Sequence, residues 1–312
     1  MSNMFENVTV VGAGMMGSGI ASMAALAGKQ VVLVDCSIEQ TQRGKEKAAV
    51  CIRELQENGL ASPDSGVMDR ITCSENLEEA VKHADLVIEA IFENLQLKQE
   101  MFGKLDRLLP AQVPILSNTS GMRITDIAAK AVCHPERTMT AHFWLPAHLV
   151  PLVEIVLWEK TDREIAVAVR DELKNWDKQP VLVNRDLPGQ LANRILQAII
   201  REAANIVEIG LASAEDVDIA VKAGMGIRFP AWGPLEHVDA VGLDLCLSVQ
   251  ENVLPGLSSE ANNPAMQRLV EQEKLGYKAK RGFYNWEEKD MDALVKTRND
   301  FIIAARRQLK KI

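Results

Sequence analysis

The chain has 312 residues, 47% of them hydrophobic and 25% charged, with a formal net charge of −8. That is enough apolar material for a sizeable core and enough length for two domains, and it excludes a disordered or low-complexity chain. The acidic balance argues against nucleic acid as a partner, and no apolar run approaches the roughly 18 residues of a membrane span.

Residues 1–7 carry no basic segment, and Val8–Val11 is too short for the apolar part of a signal peptide. The five cysteines are scattered without a CxxC pair, and the five histidines lack ligand spacing. That pattern reads as a reduced, cytoplasmic chain with neither a metal site nor a disulfide framework.

In chain order, Val8–Val11, Val31–Val34 and Leu86–Ile88 are apolar runs of strand length, with Pro114–Leu116 and Thr138–His142 as weaker candidates. Helical patterns lie between them at Met16–Ala27, Ile38–Asn58, Leu95–Leu109 and Ile124–Ala131. Continuous apolar strands alternating with helices predict a parallel sheet covered on both faces, which Leu152–Val156 and Pro180–Val183 would extend. After Asp186-Leu187-Pro188-Gly189 the pattern turns helical, and Pro188 could open the first long helix. The reading is an α/β chain: a Rossmann-type doubly wound domain over residues 1–185, then an all-helical domain over 186–312. An added amphipathic helix, about 290–312, carries Leu294, Phe301, Ile302 and Leu309 on its apolar positions and ends in Arg306, Arg307, Lys310 and Lys311.

The first strand runs into Gly12-Ala13-Gly14-Met15-Met16-Gly17, a G-x-G-x-x-G turn opening a helix. Gly12 permits the tight turn, Gly14 lets backbone approach a pyrophosphate, and Gly17 allows close packing of helix on strand. Met15 and Met16 begin the helix whose N-terminus faces the phosphates. Asp35 follows the second strand, 18 residues after Gly17. A carboxylate there accepts from ribose hydroxyls and repels a 2′-phosphate, so NAD is expected rather than NADP.

Glu154 stands within the otherwise apolar Leu152–Val156, where a carboxylate needs a partner. His142 lies twelve residues upstream at the end of the preceding strand, and adjacent strands would let the two meet. A carboxylate that fixes one imidazole nitrogen leaves the other as a base near neutral pH. A satisfied core pair has the same signature.

Several ordered segments resemble the L-3-hydroxyacyl-CoA dehydrogenase family. They are Glu89–Asn94, Ser117–Ser120, Thr138–Val156, Asp186–Gly189, Asn193-Arg194, Val241–Asp244 and Arg281–Tyr284. The resemblance implies that His142 is the general base and Glu154 its orienting partner. It implies that Ser120 and Asn193 contact the reacting oxygen, and that Glu93 and Lys98, with Ala90 and Asn118, lie at the cofactor. It also implies a small-molecule substrate, oxidation of an L-3-hydroxyacyl group to its 3-keto form, and a homodimer formed through the helical domain.

The sequence departs from the family in three places. The His-Phe-Phe-Asn-Pro run of the acyl-CoA enzymes appears as His142-Phe143-Trp144-Leu145-Pro146, so an amide is lost at Leu145. The segment Gly226–Pro234 is longer and inserts Arg228. It is similar to branches acting on free hydroxy acids, namely gulonate 3-dehydrogenase (lambda-crystallin) and carnitine dehydrogenase, while Ser120-Gly121 and the His142–Pro146 run resemble a related branch that oxidises a pyridine carboxylate. A guanidinium binds a carboxylate through two parallel hydrogen bonds, so Arg228 is a candidate substrate contact, although a surface loop arginine reads the same way. Finally, Arg43, Lys45, Lys47 and Arg53 lie where the family grips CoA but match none of its contacts one for one. A non-catalytic NAD-binding protein is the competing reading from another class, and the presence of all four active-site matches argues against it.

Overall fold

Eight β-branched or apolar runs form one sheet because each is too short for a stable helix, and the central ones are buried on both faces while the edge strands are partly exposed. The strands are β1 (Asn7–Val11), β2 (Gln30–Val34), β3 (Ile71–Ser74), β4 (Leu86–Glu89), β5 (Ile115–Ser117), β6 (Thr138–Phe143), β7 (Leu152–Val156) and β8 (Gln179–Val183). Their order is β3-β2-β1-β4-β5-β6-β7-β8. In this computed structural model residues 5–309 are described, and the chain divides into one unit ending at Ala192 and a second running from Asn193.

The order reverses between β1 and β4, so the loops leaving their carboxyl ends diverge and open the crevice where such folds bind dinucleotides. Helices α1 (Met15–Leu26), α2 (Ile38–Glu57), α3 (Leu77–Val81), α4 (Leu95–Leu108), α5 (Ile124–Ile127) and α6 (Arg163–Asn175) complete this unit. One face of the sheet packs Val87 and Ile115 against Phe102 and Leu105 of α4 and Ile124 and Ile127 of α5. Asn94 caps α4 by accepting from the Leu97 amide, and Asp162 caps α6 in the same way.

Four local expectations change. The sheet is not wholly parallel: β7 runs antiparallel to β6. The eight residues between them are too few for a crossover, and a parallel pair needs a dozen or more. The edge strand β3 with α3, and the helix α6, are additional elements. Residues 124–131 form α5 and then a 3-10 turn, Ala128–Lys130, rather than one helix. Pro188 does not open a helix. Gly189 and Gln190 take φ of 79° and 54°, and that left-handed turn delays α7 until Ala192.

The second unit comprises α7 (Ala192–Glu208), α8 (Ala214–Ile219), a π-helical stretch Ala220–Gly226, α9 (Pro234–Val241), α10 (Leu243–Val253), α11 (Pro264–Glu271) and α12 (Met291–Leu309). Among its described residues no strand is formed, and the extended pairing is limited to isolated bridges such as Gly276 with Arg281. In α12 the buried residues are Ile303 and Arg306, while Leu294 and Phe301 are exposed, so the expected apolar stripe is not the face that is covered. Lys310, Lys311 and Ile312 lie outside the described residues.

Candidate active site

The cofactor end is built from backbone. Gly12 has φ 108°, and a Cβ there would stand 2.5 Å from the carbonyl oxygen of Ala90, so only glycine lets the β1 and β4 turns meet. A Cβ on Gly17 would collide with the Gly12 carbonyl oxygen, which explains how α1 stays so close to β1. Gly14 is the N-cap of α1 and has open space where a Cβ would point, a place for a phosphate beside unpaired helix amides. Met15 is exposed and Met16 half-buried.

Asp35 Oδ2 accepts from the Ala13 amide at 2.7 Å, and Oδ1 from the Cys36 amide at 2.7 Å. The carboxylate therefore both braces the Gly-rich turn and borders a crevice of about 440 Å³ lined by Val11, Gly12, Val34, Ile91 and Phe92. Apolar walls, with Asp35 at the end of β2 and the glycine-capped N-terminus of α1, fit the adenosine and pyrophosphate of NAD, while Glu75, Glu100 and Lys104 also line the crevice.

Beyond this crevice lies a charged cluster. Glu89, fully buried at the end of β4, accepts from the Ile91 amide, Lys98 Nζ and Ser117 Oγ, each at 2.7 Å. Lys98 is buried too, and its ammonium reaches Glu93 at 3.3 Å. Glu93 in turn accepts from the Thr119 hydroxyl at 2.5 Å and from the Ser120 and Gly121 amides at 3.1 and 3.3 Å. Burial works against ionisation of Glu93, but the Thr119 hydroxyl, Lys98 and the Gly121 amide outweigh it and hold its carboxyl below the ordinary range. Thus Glu93, Lys98 and the backbone of Ser120 are brought together, and Lys98 is no solvated helix residue. Asn118 Oδ1 accepts from the Phe143 amide at 2.8 Å and ties the loop after β5 to β6. The N-cap position of α5 is Arg123, whose side chain makes no cap hydrogen bond.

The chemical end is set by register. His142 and Glu154 are direct partners across the antiparallel β6–β7 pair, and His142 Nδ1 lies 2.8 Å from Glu154 Oε2. The same oxygen accepts from the Trp144 indole N–H at 2.9 Å, while Oε1 accepts from the Leu191 and Ala192 amides at 2.9 and 2.8 Å. Burial would raise the Glu154 carboxyl, but these donors hold it down at about 2. An ionised carboxylate accepts only, so Nδ1 carries the proton and the lone pair sits on Nε2.

Asn193 and Arg228 belong to the second unit. Arg228 lines a pocket of about 280 Å³ with Met225, Phe229, Trp232, Pro234 and His237, in which the Trp232 and His237 rings meet edge to face at 5.3 Å. On α2, Arg43, Lys47 and Arg53 are exposed.

Glu89, Ser117 and Trp144 were not singled out by sequence. Glu89 ends the apolar run Leu86–Glu89 and so carries the same signal that marked Glu154. Nothing in the order of residues announces the Trp144 contact.

Fold and site together define a dinucleotide-dependent oxidoreductase: a glycine-lined crevice at the sheet's switch point, with a histidine–carboxylate pair two strands along. The family model of the 3-hydroxyacyl-CoA dehydrogenase NAD binding domain matches residues 7–187, and that of the C-terminal domain matches 189–286. The chain belongs to the 3-hydroxyacyl-CoA dehydrogenase family and is an NAD-dependent dehydrogenase acting on CH–OH groups. It is 39% identical to the probable 3-hydroxybutyryl-CoA dehydrogenase of Bacillus subtilis, over 91% of this chain and 98% of that one. It is 32% identical to the 5-formyl-3-hydroxy-2-methylpyridine 4-carboxylate 5-dehydrogenase of Mesorhizobium japonicum, over 98% and 99%. A crystal structure of an enzyme of that activity, an NAD+ dependent dismutase, superposes with a TM-score of 0.90 over 98% of each chain at 32% identity.

Proposed function

We propose that this chain oxidises a hydroxyl-bearing carbon of a small free carboxylic acid, with His142 as general base. The observation that carries the chemistry is the buried His142–Glu154 pair at 2.8 Å, which fixes the tautomer that can accept a proton at Nε2. His142 takes the hydroxyl proton, and Glu154, anchored by three further donors, stabilises the imidazolium. Ser120 and Asn193, the family's oxygen-contacting positions, donate to the oxygen as it becomes a carbonyl. NAD, when bound, supplies the hydride acceptor. Gly12, Gly14 and Gly17 form its turn, Asp35 holds its ribose, and Glu93 and Lys98 flank the loop that carries Ser120.

Arg228 and the aromatic walls of its pocket favour the free acid: a cation pairs with carboxylate, and Phe229 and Trp232 offer flat apolar contact. The end-to-end match with the pyridine-carboxylate enzyme agrees with this. A formyl group in hydrated form also carries C–H and O–H on one carbon, so the same base serves it. A CoA thioester of an L-3-hydroxy acid is the second reading, favoured by the Bacillus relative and by the exposed cations of α2. Exposed leucines on α9 and α10 (Leu235, Leu243, Leu245, Leu247) support a homodimer through the second unit.

The deciding experiment measures NADH oxidation with acetoacetyl-CoA beside a panel of free 3-keto acids and formyl-pyridine carboxylates. Preference for a free acid, with KM raised at least tenfold in Arg228→Ala, is the expected result. Strong preference for the thioester, with Arg228→Ala indifferent, would discard the carboxylate role.

A further inference from the structure

Glu154 Oε2 is shared between two donors, the imidazole of His142 at 2.8 Å and the indole of Trp144 at 2.9 Å. The two rings stand 5.8 Å apart, inclined at 51°. Trp144 is half-buried and directly follows β6, so its side chain reaches back over the pair from the same strand end that presents the base. The family run carries phenylalanine here, which can fill space but cannot donate.

Resting on the reading of His142 as base, we propose that Trp144 is a positioning residue that sets the pH range in which His142 works, by claiming part of the charge on the oxygen that faces the imidazole. A carboxylate oxygen with one donor gives its full negative charge to that donor; with two, each receives less. The indole proton does not come off in water, so its claim is constant across the working range. The imidazolium that forms as His142 accepts the substrate proton is therefore stabilised less than it would be by Glu154 alone.

Few other charges face His142. From β7 there is Glu154. Against the Thr119–Gly121 turn after β5 there is Glu93, whose charge is partly offset by Lys98 at 3.3 Å, an ammonium it shares with Glu89 at 2.7 Å. The Asn118 side chain, whose oxygen accepts from the Phe143 amide, is uncharged. The donors on Oε1 are the Leu191 and Ala192 amides, whose charge does not vary with pH.

The test is the pH profile of kcat/KM for oxidation in Trp144→Phe, with site-specific replacement of Trp144 by 3-benzothienylalanine, which keeps the bicyclic shape but has sulfur for N–H, as the variant that guards against misfolding. The expected result is an acid limb moved to higher pH by about half a unit to one unit, with NADH affinity unchanged. An acid limb that stays in place or moves to lower pH, whatever happens to kcat, overturns the proposal, because a packing role would lower the rate without moving the limb. His142→Asn separates the two readings. If it keeps wild-type turnover, the base assignment itself is wrong; if it is inactive while Trp144→Phe leaves the limb unmoved, only the role of Trp144 is wrong.

Discussion

Glu154→Gln removes one charge and keeps the shape of the side chain, which makes its consequences calculable. In the fold the carboxyl sits at about 2 against an ordinary 4.5, because four donors converge on it despite full burial. A group whose folded value is depressed contributes stability above its unfolded value and loses it as pH falls toward the folded one. With about 1.4 kcal/mol per unit, the ionised Glu154 contributes on the order of 3 kcal/mol at neutral pH, lost between about pH 4.5 and pH 2. The glutamine approximates the protonated state, so the variant should be less stable by up to about 3 kcal/mol at pH 7 and should converge with the wild type in acid. Urea unfolding at pH 7, 5 and 3.5 measures this through the gap between midpoints. Turnover should fall on the order of 10³–10⁴-fold, as expected when a histidine base loses its carboxylate and preferred tautomer. Equal midpoints at pH 7, or a gap independent of pH, would refute the reasoning that these hydrogen bonds act on a charged Glu154.

Two further perturbations probe the cofactor end. Asp35→Asn keeps an acceptor for the Ala13 amide but removes the charge, so selectivity for NAD over NADP should drop on the order of tenfold. Competition binding reads the ratio, and an unchanged ratio would mean that Asp35 only braces the turn. Gly17→Ala places a Cβ against the Gly12 carbonyl oxygen, and α1 must move away to admit it. A cost of about 1–3 kcal/mol and weakened NADH binding are expected, read by thermal melting and fluorescence titration; wild-type values for both would contradict the close approach.

Much of this molecule can be read from local chemistry. The glycine turn is legible because its backbone demands are met by few other residues, and β1, β2 and β4 because continuous β-branched runs have one common use. Glu154 stands out because a carboxylate inside Leu152–Val156 conflicts with its surroundings. The edge strand β3, with its shorter and more polar run Ile71–Ser74, gives no such signal. The direction of β7 is implicit in the length of its connection, but an apolar strand looks the same run either way.

For the pair His142 and Glu154, spacing alone permitted contact between adjacent strands and could not distinguish it from a core ion pair. Tertiary structure decided the rest: antiparallel register set the two side chains opposite each other, and the left-handed turn at Gly189 and Gln190 aimed the Leu191 and Ala192 amides at the second oxygen. It also closed Glu89, Glu93 and Lys98, from one strand-loop-helix stretch, into a single cluster with Ser117 and Thr119 from the end of β5. Residue types fix which groups can exchange a proton or carry a charge, and they are written in the sequence. How many donors a carboxylate must share, and with which neighbours, depends on distances between distant segments, which only the folded chain sets.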